Sequence, residues 1–270
     1  MSYFSRPRPR AYGHRGAAGL APENTLPSLH LAAALGVAYL ELDVRSTRNG
    51  TIIVLHDASL ERTTNGEGPV LEHSDEQLDR LDAGYRFTHD GAHFPYRGQG
   101  VRIPTLESVL RAFPHHAFNI EIKQEQPSIV REVVDLLIAT DTAERTLLAA
   151  EHDSIMQAIR AATSDRIPTG ISAGEVADFI GRTTRDDWDG YRPPGRALQI
   201  PPSYEGIELV TPSSITAAHR LGIEVHVWTI NDAAEIERLL DLGVDGIMSD
   251  LPGLVVAAME RRRSELSSGA

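Results

Sequence analysis

Glu41 and Asp43 stand two residues apart in LELDV at residues 40–44, and a histidine, His56, follows within the stretch YLELDVRSTRNGTIIVLHD. In a strand of period two, Leu40, Leu42 and Val44 take one face and the two carboxylates share the other. Asn49-Gly50 is a strong hairpin signal, so residues 45–48 and 51–54 read as antiparallel arms about a two-residue turn. Counting back from that turn pairs Thr51 with Arg48, Val54 with Arg45, Leu55 with Val44 and His56 with Asp43. Directly opposed residues have Cβ atoms about 4.5–5.5 Å apart. A neutral imidazole would then lie beside a carboxylate pair that repels itself unless a cation intervenes. This is the outline of metal-assisted acid/base chemistry. Its plain alternative is a solvated acidic face beside a loop His-Asp pair, against which the strongly apolar opposite face of the strand argues.

Such residues need a frame, and the rest of the chain supplies alternating elements. Parallel strands are expected near residues 12, 42, 120, 148, 169, 198, 226 and 247, if the return arm of the hairpin is not counted. Each is followed by a helix. Asn24 or Thr25 caps a first helix that stops at Gly36, and Asp232 with Glu235 resembles a capping box before a helix that stops at Gly243. Eight βα units predict an α/β fold of the (β/α)8 TIM-barrel type, for which about 250 residues is typical. Residues 1–270 read as one catalytic barrel domain. Residues of about 58–104 carry several glycines, Tyr85, Phe87, Phe94 and Tyr96 but little periodicity, and are read as a small insertion after the second strand lying over a site. His89 and His93 have a metal-like spacing there, but on an irregular segment they read as solvated side chains. A polar Arg/Pro arm at residues 5–10 precedes the first strand.

In such a barrel the active site lies at the C-terminal ends of the strands. His14 ends the first, Glu41 and Asp43 the second, Glu121 and Lys123 the third, and Trp228 the seventh, so all converge on one mouth. Three carboxylates without cysteine suit a hard cation such as Mg²⁺ or Ca²⁺. Arg15 and Lys123 add donors for an anionic oxygen, and positive groups with a hard metal around histidines suit phosphoryl transfer. Lys123 reads either as a phosphate contact or as the ion-pair partner of an acid, and Trp228 either as packing or as a wall for an alcohol moiety.

Composition narrows the partners. The net charge of -12 argues against nucleic acid and anionic membranes, while a phosphate-bearing small molecule remains compatible because a metal reverses the local sign. The absence of cysteine removes disulfides, zinc-thiolate sites and thiol nucleophiles. No apolar run of signal-peptide or membrane-span length occurs, so a cytoplasmic protein without stable membrane insertion is expected.

The ordered motifs HRG at 14–16, PENT at 22–25, ELDV at 41–44, NGTIIVLHD at 49–57, RTTNG at 62–66, IPTLE at 103–107, NIEIK at 119–123, VHVWTIN at 225–231 and GVDGIMSDLP at 243–252 together resemble the glycerophosphodiester phosphodiesterase family. The resemblance implies a barrel with an insertion after the second strand, and hydrolysis of a glycerophosphodiester to an alcohol and glycerol 3-phosphate. It further implies His14 and His56 as general acid/base, Glu41, Asp43 and Glu121 as ligands of one divalent cation, and Arg15 and Lys123 near the phosphate. Attack by a glycerol hydroxyl through a cyclic phosphate and attack by water both fit it. Asn49 stands where the family often has Asp, and residues 183–210 match the family pattern weakly. Phospholipase D-like hydrolysis of lysophospholipids and a non-catalytic binding barrel are the alternatives. Retention of both histidines and all three acids speaks against the second.

Overall fold

The computed structural model describes residues 2–164 and 166–268. Its strands are β1 (Arg10–Gly13), β2 (Tyr39–Ser46), β3 (Ile52–Val54), β4 (Ala117–Ile122), β5 (Thr146–Ala149), β6 (Ala197–Ile200), β7 (Ser203–Tyr204), β8 (Ile207–Glu208), β9 (Glu224–Val227) and β10 (Gly246–Ser249). Its helices are α1 (Leu26–Ala34), α2 (Asp75–Leu78), α3 (Leu106–Ala112), α4 (Val130–Ala139), α5 (Asp153–Thr163), α6 (Ala173–Arg185), α7 (Pro212–Arg220), α8 (Ala233–Leu242) and α9 (Pro252–Ser268).

The main sheet runs β5-β4-β2-β1-β10-β9-β6, all parallel, with β3 antiparallel on β2. Parallel bridges from Leu148 to Thr169 and from Gly170 to Ala197 join its two ends. The sheet therefore closes into a (β/α)8 barrel. The stave expected near residue 169 is present only as these bridges. Its sequence, IPTGI, explains why: Pro168 has no N–H to donate and Gly170 has no side chain to pack.

Alternation along each strand separates two environments. Leu40, Leu42 and Val44 point outward and are buried against Leu29 and Ala32 of α1 and Val109 and Leu110 of α3. Across the barrel, Val225, Val227 and Ile247 pack on Ile215 of α7, Ile236 and Leu239 of α8 and Val255 of α9. Inside, Tyr12, Tyr39, Ala117, Leu147, Ala197 and Met248 form one layer. The N-terminal residues just before the polar arm and at its end pack here: Tyr3 is buried in that layer, and Arg10 is buried with Nε donating to the Tyr39 hydroxyl. Asn119 accepts from Gln199 farther along the barrel axis.

The hairpin differs from the expected register by one residue. Val44 faces Val54, Arg45 faces Ile53 and Ser46 faces Ile52, while Leu55 N–H donates to the Asp43 carbonyl. Thr47 and Thr51 close a three-residue loop, with Gly50 at φ +84°, where a left-handed residue is needed. His56 thus does not lie directly across the ladder from Asp43. Residues 58–104 contain a short 3-10 turn at Val70–Glu72 and α2, whose Ser74/Gln77 capping box is complete. Leu60, Val70 and Leu78 pack on Ile53 and Leu55, a small core of their own beside β3. No helix among the described residues is long and apolar enough to cross a membrane.

Candidate active site

Parallel pairing of β2 with β4 places Asp43 beside Glu121 and Glu41 beside Asn119. Adjacent strands are only about 4.8 Å apart, so same-face acids at one level must crowd. One oxygen from each of Glu41, Asp43 and Glu121 lies within 4.8 Å of the others. Glu41 and Asp43 are almost wholly buried. Backbone and side-chain donors hold them in place. Glu41 Oε2 accepts the Arg15 N–H at 2.8 Å, and Asp43 Oδ2 accepts from Asn24 Nδ2 at 2.9 Å. Lys123 Nζ is 2.7 Å from Glu121 and 3.7 Å from Asp43, so it is an ion-pair partner within the cluster. Arg15 Nε lies 3.1 Å from Asp43 Oδ2, but its N–H is not directed at that oxygen and stays buried without a hydrogen bond.

These cations do not neutralise the cluster. Burial, reinforced by the charge of Asp43, pushes the Glu41 carboxyl up to about 7. Burial also raises Glu121, with Lys123 opposing and Asp43 adding to it. Burial works against the Lys123 ammonium, but Glu121 and Asp43 outweigh it and raise its pKa. Convergent buried oxygens carrying excess negative charge are the donor set of a hard divalent cation, and the three residues fit one.

The two imidazoles are built alike. His14 follows β1; its backbone N–H donates to the Ser249 carbonyl, and its Nδ1 lies 2.7 Å from Asp250 Oδ1. Asp250 is itself held by Asn231 Nδ2 at 2.7 Å. His14 Nε2 is 3.9 Å from Glu41 Oε2. Burial acts to lower the pKa of this ring, but the Asp250 bond and the Glu41 charge outweigh it and raise the value. His56 follows β3, with Nδ1 2.6 Å from Asp57 Oδ1 and its carbonyl accepting from Arg45 Nε at 2.7 Å. Burial would raise the Asp57 carboxyl, yet hydrogen bonds from Arg62 and His56 pull it down to about 2. In both rings a carboxylate accepts from Nδ1, so Nε2 is the nitrogen left for other chemistry.

His14, Arg15, Glu41, Asp43, Glu121 and Lys123 therefore form one connected group. His56 reaches it through Asp57 and a set of ion pairs that ends on Arg15. Trp228 follows β9 with 40% of its surface exposed and makes no side-chain hydrogen bond or ring contact with them among the described residues. His93 is exposed and bonded to Asp90 on the insertion. The sequence reading assigned no part in the site to Asp57, Asp250, Asn231, Glu23 or Arg62, and took Asn24 only as a candidate helix cap. All six lie in loops, where spacing has no period to read; only their places within the quoted motifs marked them.

The model of the Glycerophosphoryl diester phosphodiesterase family matches residues 14–254. The glycerophosphodiester phosphodiesterase of Caldanaerobacter subterraneus subsp. tengcongensis is 30% identical, across 90% of this chain and 94% of that relative. Lysophospholipase D GDPD1 of Mus musculus is 28% identical across 90% of this chain and 83% of the relative. An Oleispira antarctica phosphodiesterase solved in complex with the product sn-glycerol-3-phosphate superimposes with a TM-score of 0.74 at 26% identity, covering 94% of this chain and 97% of that one. Carrying that family's match along almost the whole barrel, the chain belongs to the glycerophosphoryl diester phosphodiesterase family and is a phosphoric diester hydrolase.

Proposed function

We propose that the protein hydrolyses glycerophosphodiesters to an alcohol and glycerol 3-phosphate, with His14 and His56 as general acid and base. The observation that carries this reading is the pair of imidazoles whose Nδ1 atoms are held by Asp250 and Asp57, with the oxygen cluster within 4 Å of one of them. Glu41, Asp43 and Glu121 would hold one divalent cation, Mg²⁺ or Ca²⁺, and a bound cation supplies positive charge to a phosphoryl oxygen. Arg15, with its unbonded Nε–H, and Lys123 bind the other non-bridging oxygen. One Nε2 removes a proton from the attacking hydroxyl, of water or of the substrate's glycerol, as the new P–O bond forms; where the glycerol hydroxyl attacks, water then opens the resulting cyclic phosphate to glycerol 3-phosphate. The other delivers a proton to the departing alkoxide as the old P–O bond breaks. Trp228 offers an exposed ring face to the alcohol. Residues 1–270 act as one catalytic barrel, with residues 58–104 beside its mouth.

The test is release of glycerol 3-phosphate from glycerophosphocholine. Activity disappears on chelation and in His14→Ala and His56→Ala; full activity in both variants would remove the mechanism. A second reading is lysophospholipase D activity, favoured by the mouse relative and by the insertion's aromatic cluster, where Phe87 meets Tyr96 edge-on at 5.3 Å. Faster hydrolysis of lysophosphatidylcholine than of glycerophosphocholine selects it.

A further inference from the structure

Arg62 stands on the loop after β3 and Glu23 on the loop before α1, and their side chains meet at the rim of the mouth. Arg62 Nη1 and Nη2 reach the two Glu23 oxygens at 2.6 and 2.7 Å, while Nε and Nη2 reach the two Asp57 oxygens at 2.5 and 3.1 Å. One guanidinium is thus gripped by two carboxylates, each with both oxygens engaged. Glu23 also accepts from Arg15 Nη1 at 2.9 Å, and Arg15 is in turn 3.1 Å from Asp43. The chain of contacts therefore runs His56–Asp57–Arg62–Glu23–Arg15–Asp43. It begins at one imidazole and ends within the carboxylate cluster.

The Arg62 side chain is 47% exposed, and exposed ion pairs contribute little to stability. Its loop is anchored independently, by fully buried Leu60 and by the Thr64 hydroxyl donating to the Leu60 carbonyl. What a double fork adds is direction, because two bidentate contacts fix a planar group in position and angle. We propose that Arg62 and Glu23 are positioning residues: they hold Asp57, and through it the His56 ring, at a set place relative to the carboxylate cluster. The proposal rests on the reading of His56 as an acid or base.

Steady-state hydrolysis of glycerophosphocholine tests it in Arg62→Ala, Arg62→Lys, Glu23→Gln and Asp57→Asn, with His56→Ala as reference. Misplacing a catalytic group by about 1 Å can cost roughly 100-fold. Arg62→Ala and Glu23→Gln should lower kcat by about 10- to 100-fold, with KM little changed and the melting temperature near that of the parent. Arg62→Lys keeps the charge without the fork and should not restore kcat. Added guanidinium should partly restore Arg62→Ala and leave His56→Ala unaffected. Because both residues act through one carboxylate, an Arg62→Ala/Asp57→Asn double variant should lose no more than Asp57→Asn alone. An unchanged kcat in Arg62→Ala, full recovery by Arg62→Lys, or a rise in KM alone overturns the positioning role. If His56→Ala is itself fully active, the underlying reading of His56 fails instead.

Discussion

His14 and His56 share one arrangement, a carboxylate on Nδ1, reached by different routes. Asp250 comes from the loop after β10, and Asp57 is the next residue in the chain. Replacing Asp250 with Asn keeps the shape but lets Nδ1 accept instead of donate, which favours the wrong tautomer. Asp250→Asn should lower kcat on the order of 100-fold while product binding, followed by calorimetry with glycerol 3-phosphate, is retained. The acid side of the stability curve reports on the other pair. The Asp57 carboxyl sits at about 2 when folded, below the ordinary carboxylate value of about 3.9. Its contribution is therefore fully present above about pH 4 and is lost as the pH falls from there through about 2. The gap between the urea midpoints of the parent and Asp57→Asn should be modest, because the pair is partly exposed. It should narrow as the solution is acidified, and a gap that widened in acid would contradict this assignment.

At the scale of the element, β2 does most of the positioning. Its outward leucines bind it to α1 and α3, and its inward acids meet Glu121 of β4 because the two strands pair in parallel register. The alternation in LELDV makes this legible from sequence: apolar and acidic residues could not exchange faces without burying the charges against helices. The hairpin was less legible. Asn49-Gly50 marked a turn, but whether the loop held two residues or three depended on Gly50 taking the left-handed conformation after Thr47 had closed on Thr51. That choice moved every cross-strand partner by one place. The stave near residue 169 was found by spacing, yet Pro168 and Gly170 deny it a ladder. Loop residues such as Arg62 and Asp250 gave no periodic signal, since Arg62 meets Glu23 from 39 residues away and Asp250 meets His14 from 236. Gly50 supplies a direct check. A Cβ there meets nothing within 4 Å, so only the backbone angle opposes substitution. Gly50→Ala should cost about 1–2 kcal/mol by urea unfolding.

Considered as a whole, the barrel gathers three acids in one place at the cost of their mutual repulsion, and the chain's net charge of -12 adds no relief. A cation that binds the folded cluster and not the unfolded chain must therefore stabilise the fold. Mg²⁺ or Ca²⁺ should raise the melting temperature of the parent, and Asp43→Asn should abolish the rise; an equal rise in both would place the ion elsewhere. The bridges at Thr169 and Gly170 have a further consequence. They make a seam, and around the ring that seam lies diametrically opposite β1, with β5, β4 and β2 between on one side and β6, β9 and β10 on the other. Transient gaping should begin where backbone bonds are fewest. Deuterium should enter the amides near residues 167–171 well before those of β1 and β2. The molecule then breathes at its back while the histidine just after β1 and the acids on β2 stay in register.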